Sequence, residues 1–350
     1  MGSIDADAHV IENPLTFEYI DEADKKLRPM IVQQISGNTV ASNEGGVQKK
    51  FWVIDGRVQP MEGNVGSNTS EESREMRDVS SRLKHMDELE IDVQVLFPTV
   101  FLRAWTQNER IEYALCRSYN RWLAEIWKKS DNRLRWAVMP PLLSSWDKVR
   151  RELEIAKDHG ACSIFLRGLE IEMKLSDEHF FPLWKMAEEL DLAVAFHSGN
   201  NSFAVRDMFK DECGFSRSKL PVVGAFHSLI MEGIPTKFPK VRWGFVEVSA
   251  QWIPYALNDL SIRFRRKGKR LSSSPLKDNN MWVACQTTDD LPYIIQQVGD
   301  DHLVVGTDYG HADTSAEIEA LRLIRDNGKL SKITADKILD ANSRALYGLK

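Results

Sequence analysis

The stretch Leu192-Ala193-Val194-Ala195-Phe196-His197, followed by Ser198-Gly199-Asn200, is the clearest sign of the architecture. A short apolar run that ends in a polar, Gly-containing turn is typical of a buried β-strand. Ser3–Val10 predicts a second strand, which carries Asp7 and His9 near its end. Six further runs predict strands: Val93–Phe97, Leu134–Met139, Cys162–Leu166, Val241–Glu247, Met281–Ala284 and Leu303–Gly306.

Stretches with helical periodicity lie between these strands. In Glu109–Lys129, for example, Ile111, Leu115 and Trp122 recur at helical spacing. Alternating strands and helices predict an α/β fold with a parallel sheet, and eight strands favour a closed (β/α)8 TIM barrel over an open sheet. Such barrels commonly exceed 250 residues as one unit, so we predict a single domain over residues 1–350. The other predicted helices are Trp146–His159, Asp177–Leu190, Ala250–Arg265, Thr314–Asp326 and Lys332–Leu349.

One segment interrupts the alternation. Between about residues 14 and 82 the sequence contains no complete strand–helix unit, so we predict an insertion after the first strand. Phe51–Val58 reads as a β-hairpin with an Asp55-Gly56 turn. We expect the insertion to lie over the mouth of the barrel, as a lid, an oligomer contact or a simple surface excursion.

Composition narrows the range of partners. The formal net charge is −5 and no long basic run is present, so the sequence does not indicate a nucleic-acid partner. The sequence contains no uncharged apolar stretch of about 18 residues, so it predicts no membrane span. The first residues do not resemble a signal peptide. The 4 cysteines are scattered and mostly lie in apolar runs. These features predict a cytoplasmic protein with reduced thiols.

Potential metal ligands occur where several predicted strands end. Catalytic groups of such barrels lie at the C-terminal ends of the strands, and a buried charge or imidazole there needs a partner. A shared divalent ion would satisfy several of these side chains at once. The candidate metal ligands are Asp7, His9, Glu12, His197, His227, Glu247, Asp308 and His311. Mixed imidazole and carboxylate ligation suits iron and manganese as well as zinc.

Four of these candidates have alternative interpretations. Glu247 is either a ligand or a general base, and His311 is either a ligand or a proton donor. Glu12 either binds metal or caps a loop or helix near Asn13-Pro14. His227 lies in a predicted helix, where it is either a ligand or a buried histidine with a hydrogen-bond partner.

Arg167 follows the apolar run that ends at Leu166, so we expect its side chain to face the same cavity. Its guanidinium is either a clamp for a substrate carboxylate, whose geometry it matches, or half of a structural ion pair with an acid of the site. The predicted partner of the protein is therefore a small molecule that bears a carboxylate.

Three motifs carry a resemblance to a known family. The DxDxH pattern of Asp5, Asp7 and His9, the FHSGN sequence around His197 and the GTD sequence ending at Asp308 resemble the amidohydrolase superfamily. The branch that contains aminocarboxymuconate-semialdehyde decarboxylase is the most similar. Arg82–Asp87, Asp92–Pro98 and Phe238–Val241 also fit that branch.

The resemblance implies metal ligands at His9, His197 and Asp308, and a homodimer. Asp7 stands where many relatives carry His or Glu. Glu247 stands where the decarboxylases usually have His, and His311 is an additional imidazole. With Glu12, these departures resemble a subset of the family that includes dinuclear iron oxygenases.

Three functional hypotheses follow. The first is a monooxygenase with two irons that hydroxylates a small organic acid or amine. The second is a non-oxidative decarboxylase or hydrolase with a single zinc or manganese ion. The third is a non-catalytic partner subunit that has kept the fold, although the nearly complete ligand set argues against it.

Overall fold

A sheet of eight parallel strands lies at the centre of the computed structural model, which describes residues 2–34, 49–61 and 64–350. The strands are β1 (Ile4–His9), β2 (Val93–Phe97), β3 (Leu134–Val138), β4 (Ala161–Arg167), β5 (Ala193–His197), β6 (Trp243–Val246), β7 (Met281–Cys285) and β8 (Leu303–Val305). Neighbouring strands pair in chain order from β1 to β8. Each of them overlaps a strand predicted from the sequence.

Backbone hydrogen bonds just beyond β8 close the sheet into a barrel. The amide of Asp308 donates to the carbonyl of Asp7 at 2.9 Å, and the amide of His9 donates to the carbonyl of Tyr309 at 3.0 Å. The predicted (β/α)8 barrel is therefore confirmed. Every residue of β4, β5 and β7 is buried, as expected for parallel strands covered on both faces.

The helices surround the barrel. The α-helices are Glu71–Arg74, Val79–Glu88, Glu109–Lys128, Trp146–Asp158, Phe181–Glu189, Phe203–Met208, Leu220–Met231, Ile234–Lys237, Ile253–Arg266, Pro275–Asp278, Leu291–Val298, Ala320–Arg325, Lys332–Asp336 and Asn342–Tyr347. The predicted helix Thr314–Asp326 is shorter than expected, because residues before Ala320 form turns in which Asp313 accepts a hydrogen bond from the amide of Ser315. Among the helices that the structure describes, none combines the length and the apolar character needed to cross a membrane.

The helix Glu109–Lys128 illustrates how local sequence forms these elements. The side chain of Asn108 accepts hydrogen bonds from the amides of Arg110 and Ile111, which caps the first turn. Leu115 and Tyr119 lie on the buried face, which packs against β3. Apolar residues at helical spacing thus fix which face of the helix covers the barrel.

Several short elements make up the described part of the insertion. They are the 3-10 helices Pro14–Phe17 and Glu22–Leu27 and an antiparallel sheet of Met30–Gln34, Lys49–Ile54 and Arg57–Pro60. The predicted hairpin is confirmed, and its Asp55-Gly56 turn has φ of 48° and 70°, the positive values that a tight turn between twisted strands requires. Residues 35–48 and 62–63 of the predicted insertion lie outside the described residues.

The described insertion contacts the C-terminal end of the barrel. Asp55 accepts a hydrogen bond of 2.7 Å from the hydroxyl of Thr106, and Val65 forms an antiparallel bridge with His311. The helix Val79–Glu88 begins inside the span predicted as insertion and packs beside β1 and β2, as Arg82 shows by donating to Gln94 and to the carbonyl of His9. The last residues of the predicted insertion, from Val79 onward, therefore belong to a helix of the barrel.

Candidate metal centre

Imidazoles and carboxylates from four strand ends meet in one buried cluster. Asp7 and His9 come from the end of β1, His197 ends β5, Glu247 follows β6 directly, and Asp308 lies three residues beyond β8. The structure offers two overlapping sets of four possible ligands, with all ligand atoms of a set within 4.8 Å of one another. One set is Asp7, His9, His197 and Glu247, and the other is His9, Glu247, Asp308 and His311.

Interatomic distances in the cluster match those of a metal coordination shell. His9 Nε2 lies 3.1 Å from His197 Nε2 and 3.2 Å from Asp308 Oδ1. His197 Nε2 lies 3.2 Å from Asp7 Oδ1 and 3.2 Å from Glu247 Oε2. With metal–ligand bonds of about 2.0–2.2 Å, adjacent ligand atoms lie about 3.0–3.6 Å apart. Neighbouring atoms within each of the two sets are therefore spaced to hold an ion.

Backbone carbonyls orient the two central imidazoles. Nδ1 of His9 lies 3.0 Å from the carbonyl oxygen of Pro98, and Nδ1 of His197 lies 3.0 Å from that of Ser198. Because a carbonyl only accepts hydrogen bonds, each Nδ1 carries the proton and each Nε2 presents its lone pair to the cluster. This arrangement is typical of metal-binding histidines.

Several buried atoms of the cluster have no hydrogen-bond partner among the described residues. They are Oε2 of Glu247, both carboxylate oxygens of Asp308 and Nδ1 of His311; Oδ1 of Asp308 and Nδ1 of His311 lie 2.6 Å apart, but not in hydrogen-bond geometry. An unpartnered buried carboxylate is costly, and two neutral imidazoles that point lone pairs at each other gain nothing without a cation. The residues present therefore fit a bound divalent ion.

Electrostatics support the same conclusion. Burial, and then the Asp308 carboxylate, raises the pKa of Glu247 well above its usual value. Burial, and then Asp313, does the same to the pKa of Asp308. Burial lowers the pKa of His197, but Glu247 and Asp7 together raise it above the usual value. These acids resist being charged side by side unless a cation neutralises them, so protons and metal ions compete for the site.

The backbone at the cluster adopts uncommon conformations. Glu247 has φ of 60° and Asp308 has φ of 52°, both in the left-handed region that costs a non-glycine residue about 1–3 kcal/mol. At Gly306 a Cβ atom would lie 2.3 Å from Cβ of Asp7. Glycine is thus required where β8 approaches β1, since this close approach brings Asp308 beside Asp7 and His9.

A comparison with protein families places this arrangement in context. The sequence profile of the family described as Amidohydrolase matches residues 4–349. The chain belongs to the amidohydrolase family. The predicted membership is confirmed, and with it the coarse expectation of a metal-dependent enzyme that uses a divalent ion. A comparison with curated proteins found no match.

Solved structures share the fold of this amidohydrolase. An amidohydrolase (map2389c) from Mycobacterium avium subsp. paratuberculosis K-10 has a TM-score of 0.76 at 20% identity, over 99% of both chains. The 5-carboxyvanillate decarboxylase LigW from Sphingomonas paucimobilis has a TM-score of 0.63 at 16% identity, over 78% of this chain and 84% of that one. A 5-carboxyvanillate decarboxylase from Novosphingobium aromaticivorans DSM 12444, solved in complex with manganese and 4-hydroxy-3-methoxy-5-nitrobenzoic acid, has a TM-score of 0.64 at 19% identity, over 81% and 85%.

His311 joins the cluster from the loop after β8. Its Nδ1 lies 2.6 Å from Oδ1 of Asp308, and its ring stacks on that of His9 at 3.8 Å between centroids. Its Nε2 lies 2.9 Å from the hydroxyl of Thr99. Burial lowers the pKa of His311 to about 4, so the imidazole is neutral. It can act as a ligand through Nδ1 while Nε2 donates to Thr99.

Glu12 of the amidohydrolase is committed to the backbone of a neighbouring loop. Its carboxylate accepts hydrogen bonds from the amides of Thr99, at 3.0 Å, and Val100, at 2.9 Å. It therefore caps the 3-10 turn Val100–Leu102, whereas the sequence suggested a cap near Asn13-Pro14. Neither set of possible ligands contains Glu12.

The structure does not bring His227 into the cluster. This residue lies half-buried on the helix Leu220–Met231, and its Nε2 lies 2.8 Å from a carboxylate oxygen of Asp259. The ligand interpretation of His227 thus has no geometric support. A histidine satisfied by a partner outside the site, the alternative, matches the contacts.

The expectation that Arg167 clamps a substrate also fails on geometry. Its Nε lies 2.8 Å from Oε1 of Glu170, its Nη2 lies 2.6 Å from Oε2, and its Nη1 donates to the carbonyl of Phe101. Both residues are buried. The guanidinium fork is fully used in a structural ion pair, although the partner is Glu170 and not an acid of the cluster.

The sequence analysis did not predict the residues that hold the ligand-bearing strands in place. Asp5 accepts hydrogen bonds from the amide and hydroxyl of Thr307 and from Gln94, and so ties β1 to β8 and β2. Arg82 is fully buried, donates to Gln94 and to the carbonyl of His9, and stacks on the ring of Tyr309. The even spacing of Asp5, Asp7 and His9 was the available signal, because it places all three on one face of β1.

Proposed function

We propose that this amidohydrolase is a non-oxidative decarboxylase of a small carboxylic acid, with one divalent ion such as manganese or zinc. One observation carries the proposal: His9 Nε2 belongs to both possible ligand sets, and its Nδ1 is committed to Pro98. An imidazole nitrogen has a single lone pair, so it binds one ion only. His9 can therefore serve only one ion, which supports a site with a single ion over one in which two ions share this imidazole. Two fold neighbours bear the name of a decarboxylase, and one was solved with manganese.

Residues of this chain have distinct tasks in the proposed reaction. Asp7, His9, His197, Glu247 and Asp308 would hold the ion. A bound divalent ion would supply positive charge that stabilises the negative charge left on the substrate when carbon dioxide departs.

A proton must then replace the lost carboxylate on the substrate carbon. We assign Nδ1 of His311, which carries no proton at rest, to take up this proton from solvent and pass it to the carbon, because its ring lies against Asp308 and against the loop of Thr99. Phe97 and Phe165 flank His197, with ring centroids 5.1 and 6.2 Å from the imidazole, and they exclude water from the floor of the site. A dry floor strengthens every charge interaction above it.

A second candidate is the iron monooxygenase, in which two irons would hydroxylate a small acid or amine. The specific observation in its favour is the second ligand set, since His311 and Asp308 give that side of the cluster its own imidazole and carboxylate. Glu247 belongs to both sets, so its carboxylate would help to hold either ion. In this reading His9 serves one ion only.

Measurements of metal content, carbon dioxide release and oxygen uptake distinguish these two functions. The protein should be purified without added chelator, its metals counted, and small aromatic and aliphatic acids tested for carbon dioxide release with and without oxygen. Our proposal expects about one manganese or zinc ion per chain and release that is independent of oxygen. About two irons per chain with oxygen uptake would replace it with the second candidate. The predicted homodimer stays a prediction, which the mass in solution will test.

A further inference from the structure

A cationic cavity lies beside the metal centre. It has a volume of about 210 Å³ and is bounded by the loops after β2 and β5, by the segment around the helix Phe203–Met208 and by the insertion strand Arg57–Pro60. Four of its lining residues are cationic: Arg103, Arg206, Lys210 and Arg217. Asp207 is the one acidic residue among the described residues that line it.

Like charges crowd this cavity without compensation. None of the four cations forms an ion pair with a carboxylate in the part of the chain that the structure describes. Burial lowers the pKa of Arg103, and Arg217 and Arg206 lower it further. Cations held together in this way favour an anionic ligand.

Some hydrogen-bond donors of the cavity lack acceptors, although Nη1 of Arg217 donates to the carbonyls of Phe209 and Lys210. Gln59 is buried, and its Nε2 has no partner among the described residues; the same holds for Nε of Arg217. Arg103 donates no hydrogen bond to a described residue, whereas Arg206 donates to the carbonyl of Ala104. Three different side chains thus offer free N–H groups to one small space.

Local contacts join the cavity to the metal centre. Arg103 forms a parallel bridge with Asn200, which follows three residues after His197. Four residues before Arg103, the hydroxyl of Thr99 contacts His311. The cavity and the cluster are thus built on the same two loops, those after β2 and β5.

We propose that this cavity binds a second oxyanion of the substrate, a carboxylate or a phosphate, while the reacting carboxylate faces the metal cluster. The binding of an oxyanion stands on the cavity itself, and its place on the substrate rests on the proposed function. Arg103 takes the role that the sequence suggested for Arg167. The substrate class is then a small acid with two separated anionic groups, and Gln59 gives the insertion a part in choosing it.

Calorimetric titration of protein freed of metal by a chelator tests the cavity without the reaction. The probes are inorganic phosphate, benzoate and isophthalate. We expect measurable binding of phosphate or of the carboxylates, and a loss of about tenfold to hundredfold in Arg103→Met, because a charge-assisted fork is removed. Lys210→Glu, at an exposed position on the rim, should weaken binding severalfold without touching the barrel. Arg265→Met, an exposed arginine at a helix end away from the cavity, should bind like the unchanged protein.

Each result decides between outcomes. Affinity unchanged in both Arg103→Met and Lys210→Glu overturns the cavity proposal. Binding of phosphate but of neither carboxylate would support a phosphate as the second oxyanion, and binding of isophthalate in preference to benzoate by metal-loaded protein would support a second carboxylate. If Arg103 matters for binding but no acid releases carbon dioxide, the cavity stands and the proposed decarboxylase fails.

Discussion

Replacement of Gly306 by alanine should damage the metal centre without touching a ligand. The added Cβ would lie 2.3 Å from Cβ, 2.8 Å from the amide nitrogen and 2.9 Å from Cα of Asp7. Two of these atoms belong to the backbone, so no rotamer change relieves the clash. Strands β1 and β8 must then separate by about 1 Å, at a cost of about 1–3 kcal/mol.

The same displacement moves ligands on both strands. Asp308 Oδ1 lies 3.2 Å from His9 Nε2, and a shift near 1 Å removes this pair from the spacing that one ion requires. Changes to residues that orient metal ligands weaken metal affinity by about 10- to 100-fold. We expect a loss of that size for manganese or zinc in Gly306→Ala, with an unfolding midpoint lowered by roughly 1–4 °C.

Metal titration of the metal-free protein and thermal unfolding provide the measurements. Gly328→Ala is a matched control, because a Cβ at this exposed glycine meets no atom within 4 Å. Unchanged metal affinity and an unchanged midpoint in Gly306→Ala would refute the argument that close strand approach positions the ligands.

Three further changes test other parts of the structure. His197→Ala should abolish tight metal binding and activity while circular dichroism still reports a folded barrel; a fully active variant would contradict the ligand assignment. Arg167→Met should cost about 3–5 kcal/mol of unfolding free energy by leaving Glu170 buried and unpaired, and the double variant Arg167→Met/Glu170→Leu should recover part of it in denaturant unfolding. Additive losses would argue against the ion pair. Burial raises the pKa of Glu12 to about 7 from 4.5, so the folded protein keeps a proton that the unfolded chain releases. The unfolding free energy of metal-free protein should therefore fall by up to about 3 kcal/mol as the pH rises from 4.5 to 7. Glu12→Gln should flatten this slope, and an equally steep slope in the variant would exclude Glu12 as its source.

The ends of the strands could be predicted from the sequence, because a buried strand appears as an apolar run that stops at a polar residue. His197 follows five apolar residues, and Asp308 follows the apolar run of β8, so each polar side chain is marked as the end of a buried strand. A barrel brings all such ends to one rim. This reasoning needs only the alternation of strands and helices, and it placed Asp7, His9 and Glu247 in the same cluster.

The hydrogen-bond and ion-pair partners of individual polar side chains could not be predicted from the sequence. Arg167 pairs with Glu170 and not with a substrate, and Glu12 caps the loop of Thr99, 87 residues away. Both side chains could satisfy their charges in several ways, and the sequence carries no measure of distance between loops. The cavity around Arg103 is a similar case, since its walls come from three separate segments.

Local patterns along the chain were sufficient to establish a parallel barrel whose strands are followed by imidazoles and carboxylates, because periodicity and burial are local properties. Which of these groups meet depended on the folded chain as a whole. The close approach of β8 to β1 at Gly306 and the shared nitrogen of His9 rest on packing between residues roughly 300 positions apart. The cavity around Arg103 depends on the same long-range packing. Its free N–H groups can be identified only in the folded chain, where the partners of the other donors are known.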